Sequence, residues 1–377
     1  MRKFALLLTV LALITVTTPV GAVSTSASSA ILVDADSGRV LFESNADEVR
    51  LIASITKLMT ALVAVEHIPD LSETLEVKAE WLRTEGSSIY LKAGESITFE
   101  ALLYGLLLES GNDAALVIAC ACAGDEASFA EWMNEKAAEL GMERTRFANA
   151  SGLNADEHYS TARDMAKLAV ACLEQETVAK ICATKSITIG ARTFVNHNRL
   201  LTLYDGCIGM KTGYTQKAGR TLVSAARRNG QTLVAVTLNA PNDWNDHMAM
   251  FDYGFGSYPA KELSQAGETV GSIPVTGSLV RFVTVGTAEA FSYPLKAGES
   301  AEVRTENCDY VEAPIQAGQT AGRMIYTLNG EEIGSVELVY QSSVNRDLFP
   351  EQTLLQRILS AILDETITVH SPSAGLI

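Results

Sequence analysis

The sequence predicts an α+β fold followed by a separate, small all-β domain. Two hairpin signals, near residues 30–43 and 220–239, bracket a long stretch of helical periodicity, and from about residue 258 the pattern shifts to short β-like runs between turn residues. The 377 residues favour two domains and suffice for a sizeable core, and an apolar content of 47% excludes a disordered chain.

The elements follow in order. Met1-Arg2-Lys3, an apolar run over 4–16 and the small residues Val20-Gly21-Ala22 read as an export signal over 1–22. Residues 30–33 and 40–43 read as strands joined by the turn Asp36-Ser37-Gly38, and residues 54–66 as a helix closed by Pro69. Thr98 is placed to cap a helix over 99–108. Helices are also expected over 112–122, over 128–140 with Gly141 as the stop, and over 162–173 with Thr161 as the cap. Strand signals return at 187–189 and 193–195, then at 220–227 and 231–239 around Asn229-Gly230, the preferred pair for a two-residue hairpin turn. A closing helix is expected at 244–253. Runs at 280–285, 291–294, 310–313, 323–328 and 334–340 then make the β domain. In the tail, Leu354, Leu355, Ile358, Leu359, Ile362 and Leu363 recur at helical spacing opposite Gln356, Arg357, Ser360 and Asp364, an amphipathic helix. It either lies on a membrane or packs on its own β domain, and it lacks the lysine-rich polar face usual for a membrane-surface helix.

Ser54 stands three residues before Lys57 at the start of an apolar helical run, so both share one helix face and the amine reaches the hydroxyl. This is a nucleophile beside a base, provided that burial or a nearby cation lowers the lysine pKa. Leu58, Met59, Leu62 and Val63 can desolvate Lys57, and Lys211 can supply like charge. Ser110-Gly111-Asn112 follows between two helices, and Lys211-Thr212-Gly213 sits on or beside a sheet edge. A second S-x-N, Ser343-Val344-Asn345, comes after the K-T-G and so out of order.

The ordered set S-x-x-K, S-x-N and K-T-G resembles the penicillin-binding protein and serine β-lactamase superfamily. Flanking residues narrow the resemblance to the low-molecular-weight penicillin-binding proteins that are serine D-alanyl-D-alanine carboxypeptidases: Leu58-Met59-Thr60-Ala61-Leu62, Asp113-Ala114, Ser160-Thr161-Ala162-Arg163-Asp164-Met165-Ala166 and Gly209-Met210-Lys211-Thr212-Gly213-Tyr214-Thr215. It covers residues from about 30 to about 345. The resemblance implies a β-lactamase/transpeptidase-like catalytic domain over 23–257, an antiparallel sheet flanked by helices with a helical lobe. A β-rich domain over 258–345 and a membrane-associating tail over 346–377 would follow.

It further implies that Ser54 attacks the bond between the last two D-alanines of a peptidoglycan stem peptide and carries the acyl-enzyme. Lys57 would be the base, and Ser110 would relay a proton to the leaving amine. Asn112 would hold Lys57 and substrate, and Lys211, Thr212 and Gly213 would bind the terminal carboxylate end. The main-chain amides of Ser54 and Tyr214 would hold the oxyanion. β-Lactams are then the expected acylating inhibitors, the protein works outside the cytoplasm at the outer face of the cytoplasmic membrane, and no metal or organic cofactor is expected.

Other readings weigh less. His67, His158, His197, His247 and His370 form no H-E-x-x-H, and there is no G-x-S-x-G and no Walker-type loop. A formal net charge of −16 argues against nucleic acid as a partner. Six cysteines are too sparse for a disulfide scaffold, and buried free thiols are the favoured reading. A class A β-lactamase needs a glutamate in E-x-x-L-N, and Ala150 stands there ahead of Leu153-Asn154. A D,D-endopeptidase would use the same residues, and an inactive wall-binding or β-lactam-sensing protein remains the alternative of another class.

Overall fold

The computed structural model describes residues 23–347; the export signal and the amphipathic tail expected from sequence lie outside the described residues. The chain divides into two compact units, one running to Lys261 and including Pro294–Glu299, the other formed by Glu262–Tyr293 and the residues from Ser300 on.

In the first unit the elements are β1 (Ser29–Asp34), β2 (Val40–Ser44), α1 (Lys57–His67), β3 (Thr74–Glu76), β4 (Ser96–Thr98), α2 (Phe99–Leu107), α3 (Asn112–Ala123), α4 (Glu126–Glu139), α5 (Ala162–Glu174), α6 (Glu176–Ala183), β5 (Ser186–Ile189), β6 (Arg192–Val195), α7 (Leu200–Leu203), β7 (Cys207–Gly209), β8 (Thr212–Thr215), β9 (Gly219–Arg228), β10 (Gln231–Leu238) and α8 (Asp243–Ser257). A six-stranded antiparallel sheet runs β2-β1-β10-β9-β7, with β8 also paired to β9. The Asn229-Gly230 turn forms as expected, with φ of +51° and +81° at its two residues.

Alternation along the central strands buries both faces of this sheet. Ile31, Val33, Val223, Val234 and Val236 join the helical lobe in one core, whereas Leu32, Leu222, Leu233 and Ala235 pack with Met250 and Phe251 of α8 in another. The expected caps form, since Thr98 Oγ1 accepts from Ala101 N at 3.1 Å and Thr161 Oγ1 from Asp164 N at 3.0 Å. One helix begins earlier than expected because Asp125 is its cap, accepting from Ser128 N at 2.8 Å.

In the second unit the strands are β11 (Ala260–Ser264), whose first two residues belong to the first unit, β12 (Thr269–Thr276), β13 (Phe282–Thr287), β14 (Phe291–Pro294), whose last residue belongs to the first unit, β15 (Glu302–Asn307), β16 (Val311–Glu312), β17 (Thr320–Leu328) and β18 (Glu331–Tyr340). A sheet of order β15-β17-β18-β13-β12-β16 closes on Ile273, Val283, Met324, Tyr326 and Leu338. The out-of-order Ser343-Val344-Asn345 belongs here, with Val344 in this core.

Candidate active site

Ser54 does not open an α-helix as the spacing predicts. It stands in a 3-10 turn, Ala53–Thr56, and α1 starts at Lys57. The turn is entered through Ala53 at φ +51°, a left-handed conformation that costs a residue with a Cβ about 1–2 kcal/mol. Neighbouring backbone holds it. Gly152 lies so close that a Cβ there would come 2.1 Å from Ala53 O, and Thr221 Oγ1 donates to Ile52 O at 2.9 Å.

Lys57 is fully buried, and its Nζ meets three oxygens: Ser54 Oγ at 3.0 Å, Asn112 Oδ1 at 2.7 Å and the Ser151 carbonyl at 2.5 Å. Burial first, then the charge of Lys211, holds its pKa well below 10.5, against an opposing pull from Asp113. A neutral amine has two N–H bonds and one lone pair. Asn112 Oδ1 and Ser151 O can only accept, so they take the two hydrogens and turn the lone pair toward the Ser54 hydroxyl. Asn112 is fixed in turn, its Nδ2 donating to Glu85 O at 2.6 Å.

Ser110 occupies the break between α2 and α3 at φ +63° and is almost fully buried. Gly111 is needed beside it, because a Cβ there would sit 2.9 Å from Asp113 Oδ1. On the opposite wall the sheet edge is broken between β7 and β8, where Met210 takes φ +88°. Lys211 spans the break through paired backbone bonds with Val223, of 3.0 and 2.9 Å. Its side chain is buried, its Nζ donates to Thr212 O at 3.0 Å, and burial lowers its pKa to about 8. Gly213 allows a close approach: a Cβ there would lie 2.4 Å from Thr221 Oγ1 and 2.9 Å from Ser54 N.

Ser54, Ser110, Thr212, Gly213 and Tyr214 open on one cavity of about 290 Å³, together with Arg220. Lys57, Asn112 and Lys211 stand behind its walls and line none of it, Lys57 touching Ser54 and Lys211 joined to Thr212. Three sequence segments remote along the chain are thus brought together around one hydroxyl.

Residues 15–242 match the family model described as D-alanyl-D-alanine carboxypeptidase, and 258–346 match that of the penicillin-binding protein 5 C-terminal domain. The D-alanyl-D-alanine carboxypeptidase DacF of Bacillus subtilis is 34% identical over 320 residues, 81% of this chain and 82% of its own. This chain belongs to the D-alanyl-D-alanine carboxypeptidase family. The solved penicillin-binding protein 5 of Haemophilus influenzae matches 86% of this carboxypeptidase-family chain and 99% of its own, with a TM-score of 0.72 and 26% identity. The peptidoglycan synthesis regulatory factor PBP3 of Streptococcus pneumoniae matches 85% of this chain and 100% of its own, with a TM-score of 0.76 and 25% identity.

Three residues at this candidate site escape sequence reasoning. Ser151 contributes only a carbonyl, so its residue type carries no signal. His158 is buried behind Ser54. Its Nδ1 accepts from Ala148 N at 3.1 Å, which makes Nε2 the donor to Thr56 Oγ1 at 2.8 Å, and Thr56 passes a bond to Ala53 O at 2.8 Å. Burial, then the Lys57 charge, lowers its pKa to about 4, so the imidazole is a neutral brace for the Ser54 turn.

Arg220 is the third. It sits opposite Tyr214 in the β8–β9 register, is held by Asp243 at 2.9 Å and lies over the Trp244 ring, with its Nε buried and unpartnered among the described residues. The nine-residue offset from Lys211, across the antiparallel turn, was its only sequence signal.

All six cysteines are free; Cys172 and Cys182 are buried as expected, whereas Cys308 is exposed. Among the described residues no group of His, Cys, Asp and Glu could hold a metal ion, and no helix is long and apolar enough to cross a membrane.

Proposed function

We propose that Ser54 is the acyl-carrying nucleophile of this serine D-alanyl-D-alanine carboxypeptidase and that Lys57, neutral, is its base. The observation that carries the reading is the set of three contacts around Lys57 Nζ, which leaves a lone pair for the Ser54 proton. As Ser54 Oγ attacks the carbonyl between the last two D-alanines of a peptidoglycan stem, its proton passes to Lys57. The amides of Ser54, at the head of its turn, and of Tyr214 receive the oxyanion. Ser110 relays a proton to the departing amine, D-alanine leaves, and Lys57 then activates the water that hydrolyses the ester. Asn112 keeps Lys57 aimed throughout.

The demand for a free C-terminus comes from the other wall. Thr212 offers a hydroxyl and Arg220 the exposed part of its guanidinium to the terminal carboxylate, with the Lys211 charge behind Thr212 adding attraction. Gly213 lets the substrate backbone lie against the sheet edge. β-Lactams, which present a strained amide and a carboxylate, acylate the same serine.

The features of residues 1–22 support export, and the apolar periodicity of 354–363 supports peripheral contact with the outer face of the cytoplasmic membrane. N-terminal sequencing of the mature protein and flotation with vesicles, with and without residues 346–377, test these two points.

The test of the catalytic reading is intact-protein mass after mixing with a penicillin, beside D-alanine release from a peptide ending in D-Ala-D-Ala. A stable adduct on the wild type but not on Ser54→Ala, together with D-alanine release, is expected. An adduct without release indicates an endopeptidase or a sensor, rapid drug turnover indicates a β-lactamase, and no adduct removes Ser54 from the mechanism.

A further inference from the structure

The second unit carries a cluster of exposed apolar side chains that its core does not use. In the hairpin of β12 and β13, Ile273, Val275 and Val283 turn into the core, so Pro274 and its register partner Phe282 face outward. Tyr310 directly precedes Val311, which pairs with Val275, and so stands beside Pro274 in the same row. Leu279 and Val280 continue the cluster into the hairpin tip. Leu279 is 73% exposed, Phe282 59% and Tyr310 65%. Of the large apolar side chains exposed in this unit among the described residues, only Val303, on the opposite edge strand β15, lies elsewhere.

What pins the tip is the root of the tail. Asp347 Oδ2 accepts from Leu279 N at 2.5 Å and from Ser278 Oγ at 2.8 Å, and Asp347 N donates to Gly277 O at 3.0 Å. From Asp347 the chain runs on, and the apolar periodicity of 354–363 begins seven residues later. Seven extended residues span at most about 25 Å, so a membrane that holds that segment lies within reach of the tip. Around the cluster, Arg281 and Asp309 are exposed and Glu312 is paired with Arg346 at 2.9 Å, a rim of mixed sign.

We infer that this corner of the β unit, with Leu279 at its tip and Phe282 and Tyr310 behind, inserts into the interfacial layer of a lipid bilayer beside the tail. The inference rests on the membrane reading of 354–363 given above and adds a second contact to it. Phenylalanine, tyrosine and leucine on a pinned hairpin suit that layer, because aromatic rings settle at headgroup level and a fixed backbone loses little freedom on insertion. A mixed-sign rim on a chain of net charge −16 gives no attraction to anionic lipid, so burial of apolar area drives the contact. Joined through Asp347, tip and tail bind as two linked modules, each raising the effective concentration of the other at the surface.

The test is partition of the protein lacking residues 1–22 onto phosphatidylethanolamine–phosphatidylglycerol vesicles. It compares wild type, the triple variant Leu279→Ser, Phe282→Ser, Tyr310→Ser, and a chain ending at Asp347. The three side chains are exposed, so circular dichroism and melting temperature of the triple variant should stay as in wild type. Its partition coefficient should fall by about tenfold, that of the chain ending at Asp347 by more, and the tenfold loss should persist at high salt. Emission of the Leu279→Trp variant, read against the native tryptophans, should shift to the blue on vesicles and be quenched by lipids brominated near the headgroup. Equal partition of wild type and triple variant, or no quenching at position 279 while the protein is bound, overturns the inference and leaves the tail as the anchor. Tighter binding by the triple variant overturns it in favour of a tail that covers the cluster. A dimer that the triple variant dissolves without loss of partition overturns it in favour of a second copy of this chain. A wild type that binds no vesicles fails the membrane reading itself, and the inference with it.

Discussion

The two units of the molecule bury very different things. In the first, Asp34, Lys57, Asp113, His158, Asp164, Lys211, Asp243, Asp246 and His247 are all buried; in the second, the buried polar residues among those described are Ser264 and Thr287. Backbone strain divides the same way. Of the non-glycine residues with positive φ, asparagines occur in both units and suit the conformation, whereas Ala53, Tyr90, Ser110 and Met210 all belong to the first. Ala53 precedes Ser54, Ser110 lines the same cavity as Ser54 and Met210 precedes Lys211. Buried ionisable groups and left-handed backbone each cost free energy, and several of them, Lys57, His158, Lys211, Ala53, Ser110 and Met210, are gathered around Ser54. The β unit, with no reaction to serve, is built on apolar side chains and tyrosines.

The largest effect that sharpens this contrast is on Lys57. Lys57→Met fills similar volume without a lone pair and should slow acylation by a penicillin by about 10³-fold, read by stopped-flow mixing, while circular dichroism stays native. Next come two glycines that share a left-handed φ but not their surroundings. Gly152→Ala should cost about 3 kcal/mol and most of the activity, because its Cβ would strike Ala53 O. Gly318→Ala in the β unit has open space around it and should cost only about 1 kcal/mol in urea unfolding. Equal costs would remove the argument that the Ser54 turn is held by close packing.

Arg220→Gln should follow, lowering kcat/KM for a carboxylate-ended peptide by about tenfold or more relative to the same peptide ended by an amide. A purely structural Arg220 would leave that ratio as it is. The smallest effect concerns His158 and His247, whose pKa values burial lowers to about 4 and about 3. Above pH 6.5 both are neutral in folded and unfolded chains and carry no penalty. Below it the unfolded chain takes up protons that the native state refuses, so stability falls as pH drops from 6.5 toward 4. Each should contribute on the order of 1 kcal/mol of loss by pH 5.5, seen as a falling melting temperature of the first unit. His158→Asn, His247→Asn and their combination should flatten that slope.

Much of the site was legible because its chemistry depends on residue types at fixed offsets. Ser54, Ser110, Thr212, Gly213 and Tyr214 line one cavity, with Lys57, Asn112 and Lys211 immediately behind. Asn229-Gly230 announced its hairpin because few other pairs tolerate two successive positive φ values. Ser151 and Glu85 were illegible because they act through main-chain carbonyls, which every residue has. The 3-10 turn at Ser54 was missed because helical spacing does not distinguish a tight first turn from an α-helical one. Strand β15 gave no signal because all six of its residues are exposed, so it has no apolar alternation.

The central claim is that Lys57 is neutral at working pH, and the pH profile of penicillin acylation at Ser54 tests it most directly. The second-order rate constant should rise along a limb lying well below the ordinary lysine pKa of 10.5 and fall again near 8 as Lys211 loses its charge. A rate that climbs steadily through about pH 10 would mean that Lys57 titrates as an ordinary lysine, and would contradict the account.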